Sequence, residues 1–571
     1  MPEPREFLSS WKEISAYLKR TTRTCQRLEI EMGLPVHRLD GSPKARVFAY
    51  PDEIDAWLAD KARERTRERG GGRRILYYAA AALIVIAAGL VLVKVAGRRG
   101  PAREPGSTAD ARSVAVLPFV DLSPGPASEP VADGLADSII NTLGRVPELR
   151  VPGRTSSFWF KGRNVDIREI GRKLSVRTIL EGSIQVVGED LRVAVQLVSA
   201  EDGFKIWAKR YDRKTRDILD VEDEIAMSVL EQLKVRLLAG QEKLLRKRPT
   251  EDTEAYGLYL KGRYVLGRPA PDAPQRALEF FGAALERDPG FALAHSGAAW
   301  AYVNMANQLA APPLEVFPKA KAALERAMAL DPGLPEACAL DAAVKFWFDW
   351  DWKGAERSFR RALEIKPGDS LTRGWYSWFL VSRRRFAEAR TEADRAIALD
   401  PLMPLFYAHS MSVRVISGRC EEALAEFARA LRIEPNFGYG YVWAGNAYMR
   451  MGRLDEARKM LEKSLPLPRS PGSAEAALVA CYARKGDRQG AEKLLERLLE
   501  DYKKGPISPV YLAWACAAVG RLDEGFEWLA TAERYRDSQI PFIHVYAEYL
   551  APEAARDPRF AAFADRLGLP R

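Results

Sequence analysis

The 571-residue sequence holds few of the residues that build metal sites and nucleophilic active sites. It has 5 cysteines and 4 histidines, and none of them stands in a CxxC or HExxH spacing. This scarcity argues against a disulfide-stapled scaffold, a zinc domain and a metallohydrolase. A GxSxG elbow, a P-loop and a GxGxxG turn after a strand are also missing from the sequence. The sequence therefore predicts no enzyme, no metal and no cofactor, but a protein that works by binding.

Charged residues are plentiful and unevenly distributed. The net charge of +10 comes from 87 basic and 77 acidic residues. Residues 1–74 hold 16 basic and 12 acidic residues, an excess of 4, whereas the other 497 residues share an excess of only 6. A basic amino-terminal segment favours contact with nucleic acid or with an anionic membrane surface.

A run of 19 uncharged residues, ILYYAAAALIVIAAGLVLV, occupies 75–93. As a helix it would be about 28 Å long, close to the hydrocarbon thickness of a bilayer. The run predicts one transmembrane helix, with a buried hairpin helix as the alternative. Seven basic residues lie in the juxtamembrane segment 61–74 and four in 94–103, at the start of a predicted linker over 94–112. This asymmetry predicts a single-pass membrane protein with its amino terminus on the inner side.

The first sixty residues have the pattern of a small domain with three helices and a hairpin. Ser10 supplies a cap before the first apolar residues at helical spacing. A second helix is predicted over Thr22–Gly33, where the glycine ends it. Two alternating runs then flank a turn at 40–42, and a third helix opens at Pro51.

The run WKEISAYLKRTTRTCQRLEIEMGLPVHRL resembles the excisionase and MerR-like winged helix-turn-helix family. In that family the second helix enters the major groove and the hairpin wing lies along the DNA backbone. The resemblance implies a DNA-binding module over 1–60 with double-stranded DNA as its partner. The implied base and phosphate contacts are Thr22, Arg23, Thr24, Gln26, Arg27, Arg38, Lys44 and Arg46. A solvated basic face on a small protein-binding domain is the alternative.

Residues 113–240 alternate between strand-like and helix-like segments, which predicts an α/β domain with a hairpin turn at 188–190. The phrases SVAVLPF, VRTILEGSIQ and GFKIWAKRYDR resemble the TolB-like amino-terminal domain that accompanies tetratricopeptide repeats in bacterial envelope proteins. That resemblance implies partner binding without catalysis. The acidic residues at 220 and 222–224 are predicted to lie in the first turn of a helix, where negative charge is favourable.

The second half of the chain is a repeat array. A period of 34 residues is carried by two sets of positions, Gly418, Gly452, Gly486 and Gly520, and Pro367, Pro401 and Pro435. Glycine at the turn and proline after the second helix at this period resemble the tetratricopeptide repeat (TPR). About eight repeats are predicted over 254–540, followed by a cap over 541–571. Such arrays bind partners on a concave face, so the predicted partner is an unknown protein or peptide.

Two side-chain groups in the array leave alternatives open. The first is a concentration of aromatic residues, Trp347, Trp350, Trp352, Trp375 and Trp378. Aromatic side chains at helical spacing favour a core, but a partner groove is the alternative. The second is the pair Cys481 and Cys516 in neighbouring repeats, predicted to be small buried residues, with a disulfide as the alternative.

Together these segments predict a multidomain fold: a small winged helix-turn-helix, one transmembrane helix, an α/β domain and an all-α TPR superhelix. The arrangement resembles membrane regulators of the CadC and ToxR type. It implies a single-pass transcriptional regulator of the bacterial inner membrane, with a cytoplasmic amino-terminal DNA-binding module and a periplasmic (extracytoplasmic) carboxy-terminal TPR sensor. A homodimer would supply the specificity that one small reader lacks. The alternative is a membrane-anchored TPR scaffold for envelope protein assembly whose amino-terminal module binds protein.

Overall fold

The computed structural model describes residues 7–38, 46–67, 112–124, 128–235, 237, 248–268, 270–308, 310–468 and 471–570. These residues belong to two compact units, residues 1–107 and residues 108–571. Each unit has its own hydrophobic core, so the two are described separately.

The amino-terminal unit contains two helices, a short antiparallel ladder and a third helix. The elements are α1 Trp11–Tyr17, α2 Thr22–Met32, β1 His37–Arg38, β2 Val47–Phe48 and α3 Pro51–Arg67. Gly33 ends α2 in the left-handed conformation, which costs glycine little. Ile14, Cys25 and Ile54 are fully buried and join the three helices in one core. Membership of the winged helix-turn-helix family stays a prediction.

The predicted membrane topology is wrong. The span predicted at 75–93 lies outside the described residues, and within the described part of the chain no helix is both long and apolar enough to cross a bilayer. The longest helix there, Pro313–Leu330, has 18 residues but carries five charged side chains, which a bilayer core disfavours. The predicted fold class is corrected to a mostly all-α array with a small sheet domain. The predicted inner-membrane localisation is wrong for the same reason.

The second unit begins with a five-stranded sheet. Its strands are β3 Val114–Val116, β4 Val120–Asp121, β5 Thr178–Val187, β6 Asp190–Ser199 and β7 Lys205–Lys214. The order is β3-β5-β6-β7, β4 also pairs with β5, and only β3 and β4 run parallel to β5. The helices of this domain are α4 Glu129–Leu143, α5 Arg154–Phe158, α6 Ile167–Leu174 and α7 Ile218–Gln232. Helices α4 and α7 cover one face of the sheet, and α6 covers part of the other.

Eight consecutive helix pairs follow within the described residues. They are α8 Thr253–Leu266 and α9 Ala273–Arg287, α10 Ala292–Asn307 and α11 Pro313–Leu330, α12 Pro335–Val344 and α13 Trp352–Ile365, α14 Ser370–Ser382 and α15 Phe386–Leu399, α16 Pro404–Ile416 and α17 Cys420–Ile433, α18 Gly438–Arg450 and α19 Leu454–Ser464, α20 Ser473–Arg484 and α21 Arg488–Lys504, and α22 Pro509–Ala518 and α23 Leu522–Arg534. The chain then adds α24 Ile543–Leu550, α25 Pro552–Arg556 and α26 Pro558–Arg566. First helices of successive pairs contact one another along the array, and between the third and fourth pairs Phe346 and Trp347, just after α12, make the contact with α14. The array therefore has an inner surface formed largely by its first helices.

A residue with positive φ follows the first helix of six consecutive pairs in the described chain. These residues are Trp350, Arg384, Gly418, Gly452, Gly486 and Gly520, with φ between 57° and 86°. They stand 34 residues apart, so the sequence period is the period of this turn. The glycines meet its backbone requirement without strain, whereas Trp350 and Arg384 adopt it at a cost.

We expect Gly452→Ala to lower the free energy of unfolding by about 1 kcal/mol, because alanine is strained at this left-handed turn. Gly257 provides a matched control: it lies within α8 with negative φ, and an added methyl group would meet no atom within 4 Å. Gly257→Ala is expected to raise stability by about 0.5–1 kcal/mol. Urea titrations of the full chain measure both, and equal stability of the Gly452 variant and the wild type would contradict the first expectation.

Polar contacts join the sheet domain to two separated parts of the array. On α8, Arg263 Nη2 donates to Asp137 Oδ2 at 2.7 Å. The backbone N–H of Ser156 donates to Asp400 Oδ1 at 2.8 Å, in the loop after α15. The sheet domain therefore reaches from the first helix pair to the loop between the fourth and fifth pairs.

Candidate functional site

One exposed face of α2 carries the helix residues that the sequence predicts as DNA contacts. Arg23, Gln26 and Arg27 are exposed and stand three or four residues apart, so they share this face. Arg27 forms an exposed ion pair with Glu31 at 3.4 Å, which solvent weakens. The face can donate to phosphate oxygens and to base edges, as DNA recognition requires.

Thr22 and Thr24, the two threonines predicted as DNA contacts, make hydrogen bonds at the start of α2. The side chain of Thr21 caps the helix by accepting the N–H of Thr24, and the two threonine hydroxyls lie 2.8 Å apart. The hydroxyl of Thr22 donates to Ser15 Oγ on α1 at 3.4 Å. These contacts position the helix, while Arg23 and Gln26 remain displayed.

The hairpin presents its predicted basic residues unequally. Both terminal nitrogens of Arg38 donate to Glu29 of α2, and this bond raises the pKa of Arg38. Arg38 therefore ties the hairpin to α2. Arg46 is exposed just before β2, and Lys44 lies outside the described residues.

Sequence reasoning missed two exposed residues beside this face. Ile30 is 83% exposed and lies three, four and seven residues after Arg27, Gln26 and Arg23, so helical spacing could have identified it. Arg20 is exposed in the turn before α2. An aliphatic side chain beside arginine and glutamine can contact a thymine methyl group, or a protein surface.

The chain's own C-terminal segment, defined as residues 540–569, lies on the inner surface of the array. The Phe542 ring packs edge-on against the rings of Phe346 and Trp378, each at a centroid distance of 5.7 Å. The Tyr546 ring packs against Trp443 at 6.0 Å. Trp378 and Trp443 belong to the first helices α14 and α18, so the segment occupies the surface where TPR arrays receive partners.

The tryptophan concentration combines the two predicted alternatives. Trp347 is only 5% exposed and packs edge-on against Trp375 at 5.6 Å, as a core residue does. Trp352 donates from Nε1 to the carbonyl of Leu567 at 2.9 Å, within the C-terminal segment. Part of the cluster is therefore core, and part is a contact surface that the chain itself fills.

All five cysteines of the chain are buried and free, so Cys481 and Cys516 form no disulfide. Burial raises the pKa of the Cys516 thiol to about 12. A thiol with this pKa is not a nucleophile at neutral pH.

The sequence predicts that the acidic residues at 220 and 222–224 lie in the first turn of a helix. In the structure one of them, Glu222 on α7, is buried. Glu222 accepts hydrogen bonds from the hydroxyls of Ser138 and Tyr256, and lies between α4 and α8. Burial raises its pKa to about 7. Because these partners enclose the carboxyl group, its protonated form stabilises the contact between the sheet domain and the array.

The uncovered half of the sheet forms a cavity of about 1190 Å³. Polar side chains in its lining have partners: Gln196 Nε2 donates to Glu181 Oε1 at 2.5 Å within the lining, and Arg210 donates to Asp212 outside it at 2.9 Å. A polar, solvated face is ordinary for an antiparallel sheet. Within the described residues, no group of three or more metal-ligating side chains is brought together here or elsewhere.

The tetratricopeptide repeat family model matches residues 415–470, which span parts of the fifth and sixth helix pairs. The chain therefore contains tetratricopeptide repeats, a fold that acts as a scaffold for protein interaction. Two solved structures are similar to part of this chain. Pseudomonas aeruginosa PilF is 18% identical, over 43% of this chain and 99% of that chain, with a TM-score of 0.31. PilW, a type IV pilus biogenesis factor, is 21% identical, over 39% of this chain and 96% of that chain, with a TM-score of 0.32.

A protein of Rhizobium meliloti (strain 1021) named "Putative adenylate cyclase 3" is 38% identical over 184 residues. The match covers 32% of this chain and 31% of the relative. The chain thus spans about a third of the length of this curated relative.

Proposed function

We propose that this protein is a DNA-binding transcriptional regulator whose TPR array binds a protein or peptide partner. The observation that carries the proposal is the exposed α2 face of Arg23, Gln26 and Arg27, which follows a capped turn in a separately folded unit. Arginine supplies phosphate contacts and bidentate guanine contacts, and glutamine pairs with adenine.

The structure of the amino-terminal unit supports this use of α2. The opposite side of the helix is held by the buried Cys25 and by the bond between Arg38 and Glu29, so the exposed face is presented on a fixed support. A single reader of this size makes few base contacts, so we propose that the regulator binds DNA as a homodimer.

We expect Arg23→Ala and Arg27→Ala each to weaken binding of the full chain to its promoter DNA about tenfold and to reduce its salt dependence. Arg497→Ala is the matched control, because it removes an exposed arginine (79% exposed, against 68% for Arg27) from α21 of the second unit. Fluorescence anisotropy with labelled upstream fragments, measured at several salt concentrations, tests both expectations. Equal affinity of all three variants and the wild type would contradict the proposal.

A second candidate is a scaffold whose amino-terminal unit binds protein. The 83% exposed side chain of Ile30 favours it, because exposed aliphatic residues are common in protein contacts. Under this candidate, Ile30→Ala would weaken binding of the protein partner. DNA binding would be undetectable in the wild type and in the Arg23→Ala variant alike. The activity named for the Rhizobium relative stays with that protein, because the shared segment is 31% of its length.

A further inference from the structure

Polar contacts hold the C-terminal segment at the rim of its position on the array. Arg384 Nη1 donates to Glu548 Oε1 at 2.6 Å, and both side chains are partly exposed. Arg383 Nη1 donates to the carbonyl of Gly568 at 3.0 Å. These partners are 164 and 185 residues apart in the chain, so the contacts form only when the array is folded.

At the left-handed turn after the first helix, two pairs have a residue other than glycine, and both of these residues contact the C-terminal end of the chain. Trp350 and Arg384 hold the left-handed turn that glycine holds in the four later pairs. The guanidinium of Arg536, just before the C-terminal segment, lies 4.2 Å from the Trp350 ring centroid, and Arg384 pairs with Glu548. Strained backbone conformations persist where the surrounding contacts compensate for them. Here the side chains of Trp350 and Arg384 both contact residues near the C-terminus.

Some buried polar atoms in and beneath the C-terminal segment lack hydrogen bonds of good geometry. Neither ring nitrogen of the buried His544 has a hydrogen bond of good geometry among the described residues, although the Ser382 backbone lies nearby. Beneath the segment, His409 Nδ1 is also buried without a hydrogen bond of good geometry among the described residues, although the Gly374 backbone lies nearby. The His409 ring packs on Trp378, which also contacts Phe542. Unmade hydrogen bonds reduce the advantage of the docked state over an open one.

We propose that residues 540–569 are an internal ligand of the array, and that the inner surface accepts a partner's amphipathic helix with aromatic side chains in their place. The proposal rests on the array's proposed role as the partner-binding part of the protein. A partner must wait for the segment to leave, so its apparent affinity falls by the fraction of chains that are open.

The segment itself defines the chemistry of that partner. Phe542, Tyr546 and Tyr549 are spaced four and three residues apart, so they share one face of a helix. The Tyr549 ring lies 5.7 Å from the Arg450 guanidinium, and Glu548 meets Arg384. A competing helix therefore needs aromatic residues at this spacing and an acidic residue beside the last of them.

A labelled peptide of residues 538–571, added to the intact protein, tests the proposal. We expect Glu548→Arg to increase the affinity of the chain for this peptide at least tenfold, because like charge against Arg384 loosens the chain's own segment. The double variant Arg384→Glu/Glu548→Arg restores the internal pair and repels the peptide, so its affinity should return to the wild-type level. Glu553→Arg makes the same charge change on α25 and should leave peptide affinity unchanged.

Hydrogen exchange of the wild-type chain gives an independent measurement. Amides of α24 are expected to exchange at least tenfold faster than those of α14 and α18, because the segment opens without unfolding the array. Exchange of α24 only together with those helices would overturn the proposal. So would a Glu548→Arg chain that loses its helical circular dichroism or binds the peptide no more tightly.

A second copy of the chain is the competing occupant. A dimer that forms with increasing concentration and is abolished by deletion of residues 540–569 would overturn the choice of a separate partner. None of these measurements involves DNA, so their failure leaves the DNA-binding proposal intact, and failure of the DNA experiment leaves this one intact.

Discussion

Replacement of Phe281 by alanine is expected to lower the free energy of unfolding by about 4 kcal/mol. The ring is fully buried and packs against Tyr259 at a centroid distance of 5.9 Å. It lies so close to Gly262 and Gly297 that a methyl group on either would come within 2.7 Å of a ring carbon. Three helices, α8, α9 and α10, meet at this ring, so its removal leaves a cavity that their backbones cannot close.

Phe280 is the matched control for this substitution. It stands next in the chain and is only partly buried. Phe280→Ala should cost less than half as much in urea titrations followed by circular dichroism. Equal losses for the two variants would show that the ring of Phe281 is not the centre of the packing between the first two pairs.

Glu222→Gln is expected to make the protein more stable at neutral and alkaline pH, by about 2 to 3 kcal/mol at pH 8. The folded-state pKa of Glu222 is about 7, above the ordinary 4.5, because burial disfavours its charge. The stabilising effect of the protonated carboxyl group is complete below pH 4.5 and is lost as the pH rises through about 7. Glutamine remains neutral throughout and can keep hydrogen bonds with Ser138 and Tyr256.

The variant and the wild type should therefore have similar melting temperatures near pH 4.5 and diverge towards pH 8. Glu224→Gln is the control, because it neutralises an exposed carboxylate on the same helix that pairs with Lys209 at 3.2 Å. The difference between wild type and Glu224→Gln should stay small across the range. A Glu222→Gln variant whose melting temperature runs parallel to that of the wild type would contradict the expectation.

The repeated helix pairs could be predicted because their signal is local and periodic. Gly418, Gly452, Gly486 and Gly520 meet a backbone requirement that recurs every 34 residues, and few other residues meet it without strain. Trp350 and Arg384 hold the same turn without glycine, so this part of the period was invisible in the sequence. The predicted span at 75–93 lies outside the described residues, and no helix within them is both long and apolar enough to cross a bilayer.

Other features depend on contacts between distant parts of the chain, which periodicity does not encode. Glu222 belongs to an acidic run that suits a solvated helix start, and only the packing of α4 and α8 around it shows that it is buried. The sequence predicts a cap after the repeats, but its place against Phe346, Trp378 and Trp443 depends on how far the array curves. On α2, helical spacing grouped Arg23 with Gln26, yet the engagement of Arg38 with Glu29 is tertiary.

The contacts between the sheet domain and the array have a mechanical consequence. Stacked helix pairs form a superhelix, because each pair is rotated slightly relative to the one before it. Small changes in these rotations add up to a large change in the length of the array. The bonds from Arg263 to Asp137 and from Ser156 to Asp400 place a strut across the first four pairs. The C-terminal segment bridges the later pairs through Trp378 and Trp443, so tension along the chain should first release that segment and then extend the later pairs before the first four. Single-molecule pulling would record this order.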